Sequence, residues 1–311
     1  KNSKNIFSFL YELYYSYKVL RSKNYDIIIS FFVKPILYSG LLFYFKKKVN
    51  MVAVLEGLGQ GLSEEKQFSI VGSIAKISFN RFDKFYVLNK RDRDVCKNKY
   101  KRKNTINILN GIGLDFSEVV DRDLNKINNN NFTISMVSRL IISKGIFHFT
   151  SIAKELGRKY PEKFSFEVAG DFNDNNDQKF IKTFLNMCKK YNINYLNYLE
   201  NPLEYLSNID ILIHLTDYRE GYSRIIMEGL SSGCIVICSK EPGCIAVIED
   251  FPGAFSFKSD EYSKIINKII EIKSMTKRES SELRIKNIRL AKKKFDVNIP
   301  SSILLKACLN E

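Results

Sequence analysis

The chain has 311 residues, 45% of them hydrophobic and 27% charged, with a formal net charge of +15. This length suits two domains with substantial cores, and no apolar run reaches the roughly 18 residues of a transmembrane helix, so none is expected. Six scattered cysteines without a C-x2-C pair, and only two histidines, His148 and His214, argue against a disulfide framework and against a zinc site.

The charge is unevenly placed. Residues 1–110 hold 21 Lys and Arg against 8 Asp and Glu, nearly the whole excess. A basic, aromatic-rich region suits an anionic partner, either nucleic acid or a membrane with acidic lipids. A general bias toward Lys, Asn and Ile accounts for part of it.

Residues 6–20 read as a helix that is apolar nearly all round. Tyr25–Ser30 is a strand, Pro35 starts a helix, and Val49–Leu55 is a second strand. Because the chain opens at Lys1 on a helix and not on a strand, the first domain is expected to be incomplete at its N-terminus. Leu41–Phe45 followed by Lys46, Lys47 and Lys48 fits a membrane-surface site, or equally a core helix with a basic last turn. Glu56-Gly57-Leu58-Gly59-Gln60-Gly61 is a Gly-rich turn at a strand's carboxyl end, the natural place for a ligand loop. It is not G-x-G-x-x-G, so dinucleotide binding has little support. Phe85–Leu88 is a third strand, followed by a polar helix over Asn89–Tyr100. That helix contains Asp92-Arg93-Asp94, and Asp121-Arg122-Asp123 repeats the pattern. D-x-D can hold a divalent metal, but both copies lie among basic residues with no strand directly before them, so no metal is expected there. Ile106–Leu109 is a short strand, and the polar tract 125–131 fits a domain linker.

A fresh strand, Phe132–Val137, ends in Ser138-Arg139-Leu140. The loop then reaches Lys144-Gly145 at the start of a helix to about Leu156. Arg139 and Lys144 could neutralise a diphosphate without a metal; the plainer alternative is a solvated pair at a strand end. Phe164–Asp171 is a strand ending in a turn at Gly170. A helix to Tyr191 follows, then a short strand over Tyr195–Leu199, and Asn201-Pro202 caps the next helix. Ile209–Leu215 is a buried strand with His214 as a core residue. After Gly221 the apolar residues Ile225, Ile226 and Leu230 fall at helical spacing, and the helix stops near Gly233. Cys234–Cys238 is the next strand, completing a βαβ unit. Glu220 and Glu228 stand eight residues apart, roughly 12 Å along a helix axis. That span could hold a sugar at one end and a ribose at the other, with a diphosphate at the free N–H groups of the helix. By itself such a pair reads as two solvated acids. Two helical stretches, near 260–274 and 278–294, close the chain.

Taken together these motifs resemble a known family. Glu220-Gly221-Tyr222-Ser223-Arg224-Ile225-Ile226-Met227-Glu228-Gly229 resembles the E-x7-E signature of the retaining glycosyltransferases of family four, which have the GT-B fold. Pro242-Gly243 and the R-x4-K element formed by Arg139 and Lys144 extend the likeness, which runs in order from about residue 25 to the end. The resemblance implies two Rossmann-like α/β domains facing a cleft. An incomplete acceptor-side domain would span 1–118, a nucleotide-sugar donor domain 119–295, and a C-terminal helix, 296–311, would pack back toward the first. It implies transfer of a sugar from a nucleotide diphosphate sugar, UDP- in preference to GDP-, with retention of anomeric configuration.

In that scheme Glu220, Arg139, Lys144 and Glu56 are catalytic, with Glu56 where relatives often present a histidine. Glu228, Gly221, Tyr222, Ser223 and Gly170 bind the donor, and Lys34, Gly57 and Gly59 line the acceptor side. No metal or other cofactor is expected. The basic first third points to a lipid-linked glycan acceptor and an anionic membrane surface, at the inner face of the cytoplasmic membrane, in the manner of bacterial O-antigen or capsule assembly. The rivals are a nucleotide-sugar epimerase of the same fold, an inactive fragment that binds the donor without turnover, and a basic nucleic-acid-binding protein. The last has charge but no recognition motif, and nucleic acid is not expected as a partner.

Overall fold

The computed structural model describes residues 6–21, 23–46, 48–59, 62, 70–100, 105–120, 122, 132–172 and 177–309. The expected linker 125–131, Gln60 and Gly61 of the Gly-rich turn, Asp121, Asp123 and Lys47 lie outside these residues. The chain divides into two compact units. One comprises Lys1–Gly111, Glu220–Tyr222 and Pro300–Glu311; the other comprises Ile112–Arg219 and Ser223–Ile299.

The first unit is a four-stranded parallel sheet in the order β1 (Ile27–Phe31), β2 (Asn50–Leu55), β3 (Lys84–Val87), β4 (Asn107–Ile108). Successive side chains of a strand alternate between faces, and β2 is buried on both. Met51, Ala53 and Leu55 join Phe85 and Val87 against α2 (Val33–Leu42) and α3 (Ile70–Phe79). Val52 and Val54 join Tyr86, Leu88 and Leu109 on the opposite face, where Leu304, Ala307 and Cys308 of α12 (Asn298–Leu309) and Tyr222 cover them. Double burial is why this strand reads as an uninterrupted apolar run. Helices α2 and α3 meet at Gly40, where a Cβ would fall 2.7 Å from Ser78. Two further helices, α1 (Ile6–Arg21) and α4 (Lys90–Asn98), complete the unit, and Asn89 caps α4 by accepting from the Asp92 amide.

The second unit is a six-stranded parallel sheet in the order β10 (Ala254–Phe257), β9 (Ile235–Ser239), β8 (Ile211–His214), β5 (Phe132–Val137), β6 (Phe164–Ala169), β7 (Ile193–Tyr195). Renumbered within the unit, this is the 3-2-1-4-5-6 arrangement of the doubly wound fold, in which β5 and β8 flank the point where strand order reverses. In such sheets ligands bind outside the carboxyl ends of the strands at that point. Helices α5 (Ile146–Lys159), α6 (Gln178–Lys190), α7 (Pro202–Leu206), α8 (Arg224–Ser231), α9 (Pro242–Ile248), α10 (Tyr262–Ser274) and α11 (Lys277–Phe295) make the connections and the closing pair. A capping box at Thr276 and Glu279 starts α11.

Two expectations are corrected. The strand expected over Tyr195–Leu199 is Ile193–Tyr195, because pairing with β6 stops at Tyr195 and Asn197 takes a left-handed turn (φ 57°). The triad Glu220–Tyr222, expected within the donor domain, belongs with the first unit. Its backbone is packed against Glu56 and Gly57, and its Tyr222 ring rests on the β2–β3 face.

Candidate functional site

The carboxyl ends of β5 and β8 carry the second unit's candidate residues. Past β5, Arg139 is exposed at the strand end, and a single 3-10 turn, Ile142–Lys144, brings Lys144 to a buried position with 8% exposure. Past β8, residues 215–218 are stitched to that turn. The Ser143 carbonyl accepts from the Asp217 amide at 2.9 Å and from Thr216 Oγ1 at 3.1 Å. Thr216 Oγ1 also accepts from the Tyr218 amide, and the Thr216 carbonyl accepts from Ser239 Oγ. Gly145 is required where the two loops touch: at φ 85°, its Cβ would lie 1.9 Å from the Leu215 carbonyl oxygen. The result is a rigid seat for Lys144, whose Nζ stands 5.0 Å from the Tyr218 ring centroid.

Gly170 ends β6 at φ 138°, with its missing Cβ 1.8 Å from the Ser138 carbonyl. Its own carbonyl accepts from Tyr195 Oη at 3.1 Å. This brings the ends of β5 and β6 together beside Arg139.

Helix α8 begins at Arg224, not at Gly221, and Ser223 is its N-cap. A serine there ordinarily accepts from an amide of the first turn. Here Ser223 makes no such bond, and its buried Oγ has no hydrogen-bond partner. Its amide donates to the Gly243 carbonyl at 3.2 Å. One turn further, Glu228 is largely buried and accepts from Arg224 Nε at 2.8 Å. Burial raises the Glu228 carboxyl above its ordinary range, and Arg224 offsets part of that.

In the first unit, Glu56 follows β2, half-buried, and burial raises its carboxyl. Gly57 and Gly221 lie back to back. A Cβ on Gly221 would fall 1.7 Å from the Glu56 carbonyl oxygen, and one on Gly57 3.0 Å from the Gly221 amide. Asn89 Nδ2 donates to the Gly221 carbonyl at 2.8 Å and to Asp92 Oδ2 at 3.0 Å. Glu220 is thus carried by a backbone clasped between the ends of β2 and β3. Gly59 takes a left-handed conformation with open space around it. Lys34 is set apart from this group: it pairs with Glu12 of α1 at 2.6 Å, and Tyr38 Oη donates to the same carboxylate.

Of the first D-x-D copy, Asp92 is engaged by Asn89, and Asp94 pairs with Arg93 at 3.2 Å. Sequence reasoning missed Asn89, whose only signal was a capping residue at a strand's carboxyl end. It also missed Asp217, which nothing in the pattern set apart from an ordinary loop acid.

The profile of the family described as glycosyl transferases group 1 matches residues 119–291, more than half of the chain. The chain belongs to this family. It is a glycosyltransferase, and its fold is that of two Rossmann-like α/β domains. Among curated proteins, it is similar to the Campylobacter jejuni N,N'-diacetylbacillosaminyl-diphospho-undecaprenol alpha-1,3-N-acetylgalactosaminyltransferase. The two are 26% identical over 263 residues, covering 80% of this chain and 68% of the relative. Among solved structures, this group 1 transferase resembles Anabaena HepE in complex with UDP-glucose, at 17% identity and TM-score 0.76, over 96% of this chain and 82% of that one. It also resembles a UDP-forming trehalose-phosphate synthase from Burkholderia xenovorans, at 14% identity and TM-score 0.81, over 100% and 80%. At such identities these likenesses bear on the fold, the GT-B fold of such enzymes.

Proposed function

We propose that this glycosyltransferase moves a sugar from a nucleotide diphosphate sugar, UDP- in preference to GDP-, to a lipid-linked glycan, with retention at the anomeric carbon, as in family four. The observation that carries the reading is the seat at the switch point of the second sheet. There a buried lysine is locked to the loop after β8, and the unpartnered Ser223 hydroxyl sits at the start of a helix whose next turn bears Glu228. Lys144, the exposed Arg139 and the amides of α8 offer the positive charge a departing diphosphate needs. Glu228 can accept both ribose hydroxyls, and the resemblance assigns Glu220 to the donor sugar; Glu56 stands where relatives often present a histidine. Two side-chain cations and a helix N-terminus can balance the diphosphate charge, so turnover proceeds without a metal ion. The Campylobacter relative's name specifies a diphospho-undecaprenol acceptor, and HepE was solved with UDP-glucose, which supports a lipid-linked acceptor and a uridine donor.

The test is calorimetric titration of the full chain with UDP and GDP in the presence and absence of EDTA. Binding of UDP that is tighter than GDP and indifferent to EDTA is expected, with Glu228→Ala weakening it by about 1.5–3 kcal/mol, as for hydrogen bonds to a charged group. No binding of either nucleotide at millimolar concentration would overturn the reading. NMR of the product distinguishes transfer with retention from epimerisation of the donor.

A further inference from the structure

A second set of side chains surrounds the loop that seats Lys144. The Asp217 carboxylate is held by two donors from two different elements. Ser259 Oγ, in the loop before α10, donates to Oδ1 at 2.7 Å, and His148, in the first turn of α5, meets Oδ2 through Nε2 at 3.2 Å. The other ring nitrogen of His148 lies 2.8 Å from the hydroxyl of Tyr262, the first residue of α10. A neutral imidazole protonated at Nε2 satisfies both contacts, donating to Asp217 and accepting from Tyr262. The loop after β8 is therefore tied at one carboxylate to α5 and to the start of α10.

Stability does not explain this arrangement. The Asp217 side chain is 56% exposed and that of His148 21%, and a polar contact so open to water adds little to folding. Its consequence is positional. The amide of Asp217 donates to Ser143, the residue before Lys144, and the next residue along is Tyr218, whose ring underlies the Lys144 ammonium. A lysine side chain is long and loses much rotamer freedom when fixed. A ring held in place beneath its charge prepays that ordering before a ligand arrives.

We propose that Asp217, clamped by His148 and Ser259, is a positioning residue that fixes Tyr218 under Lys144 and so presets the lysine for a phosphate group. The proposal rests on the donor reading above. Its mark is selectivity: the clamp acts on the phosphate part of a nucleotide and leaves the nucleoside part alone.

The experiment is a binding comparison on the full chain with UDP and uridine, for wild type, Asp217→Ala, Lys144→Ala and the double variant. His148→Ala/Ser259→Ala is added, because it frees the carboxylate without removing it. Asp217→Ala and His148→Ala/Ser259→Ala are each expected to weaken UDP about tenfold, within the range of coupled neighbours, and to leave uridine unchanged. Asp217→Ala should have no further effect once Lys144 is Ala. Equal weakening of UDP and uridine, or additive losses from Asp217 and Lys144, would overturn the clamp while leaving the donor reading intact. A wild-type chain that binds neither UDP nor GDP overturns both.

Discussion

Glu228 carries opposing demands. Its carboxyl is largely buried on α8, and burial raises it above the ordinary 4.5 even though Arg224 lies against it. A carboxyl raised in the folded state binds protons more tightly there than in the unfolded chain. It therefore favours folding most below the unfolded value, and that contribution is lost as pH rises through the folded value. Thermal melts across this acidic window should show wild-type stability falling with pH relative to Glu228→Gln, in which the dependence from this residue is gone. Parallel curves for the two proteins would mean that the environment of Glu228 does not perturb it. In ligand binding the sign reverses, since the ionised form is the better acceptor for two hydroxyls; UDP affinity should rise with pH through the same interval.

At the scale of elements, α11 is fastened to the sheet by a buried guanidinium. Arg284 is fully buried and donates to the Asp210 and Gly233 carbonyls at 3.1 and 2.9 Å and to Asp210 Oδ1 at 3.2 Å. Arg122 reaches the same carboxylate at 3.4 Å, and the Thr133 amide donates to its other oxygen. Burial first, then the neighbouring Arg122, pulls the Arg284 guanidinium down to about 10 despite Asp210. Truncating one member of such a group leaves buried polar atoms unsatisfied, so Arg284→Met should cost about 3–5 kcal/mol in denaturant unfolding. A loss under about 1 kcal/mol would show that the carbonyls find other partners. Nothing in the sequence marked Arg284: on a helix otherwise rich in Lys and Arg it looks like another solvated cation, and its role depends on residues 51 and 74 positions away. The strands were legible for the opposite reason. Parallel strands buried on both faces, such as Met51–Leu55 and Ile211–His214, write their burial as local apolar runs. The site was half legible. Arg139 and Lys144 follow a strand end and Glu228 lies within α8, elements that pattern alone locates, whereas the back-to-back packing of Gly57 and Gly221 joins segments far apart in the chain.

At the scale of the whole molecule, the question is where a transferase with such a basic first third works. Among the described residues, no helix is long and apolar enough to cross a membrane. Helix α2 itself belongs to the core, with Ile36, Leu37 and Tyr38 buried, and Phe43, read from the sequence as part of a membrane-surface site or equally of a core helix, is buried too at 5% exposure. The surface feature is the turn that follows. Tyr44 and Phe45 are exposed, Phe45 by 91%, with Lys46 and Lys48 exposed beside them. Buried Arg81 holds this turn through the Phe43, Lys46 and Val49 carbonyls at 2.7, 2.6 and 2.8 Å. An aromatic pair projected from a fixed turn, followed by two exposed lysines, supports reversible binding to an anionic bilayer by insertion and attraction together. Each cation near such a surface contributes about 1 kcal/mol, screened over roughly 8 Å at physiological salt. Co-sedimentation with vesicles should therefore require acidic lipid, weaken as salt rises, and fall when Phe45 becomes Ser or when Lys46 and Lys48 become Gln. Arg81→Met should lower binding even where Phe45 and the lysines remain, because the turn that presents them loses its latch. Sedimentation equal with and without acidic lipid would remove the membrane surface from the scheme, and tight RNA binding with a steep salt dependence would put nucleic acid in its place.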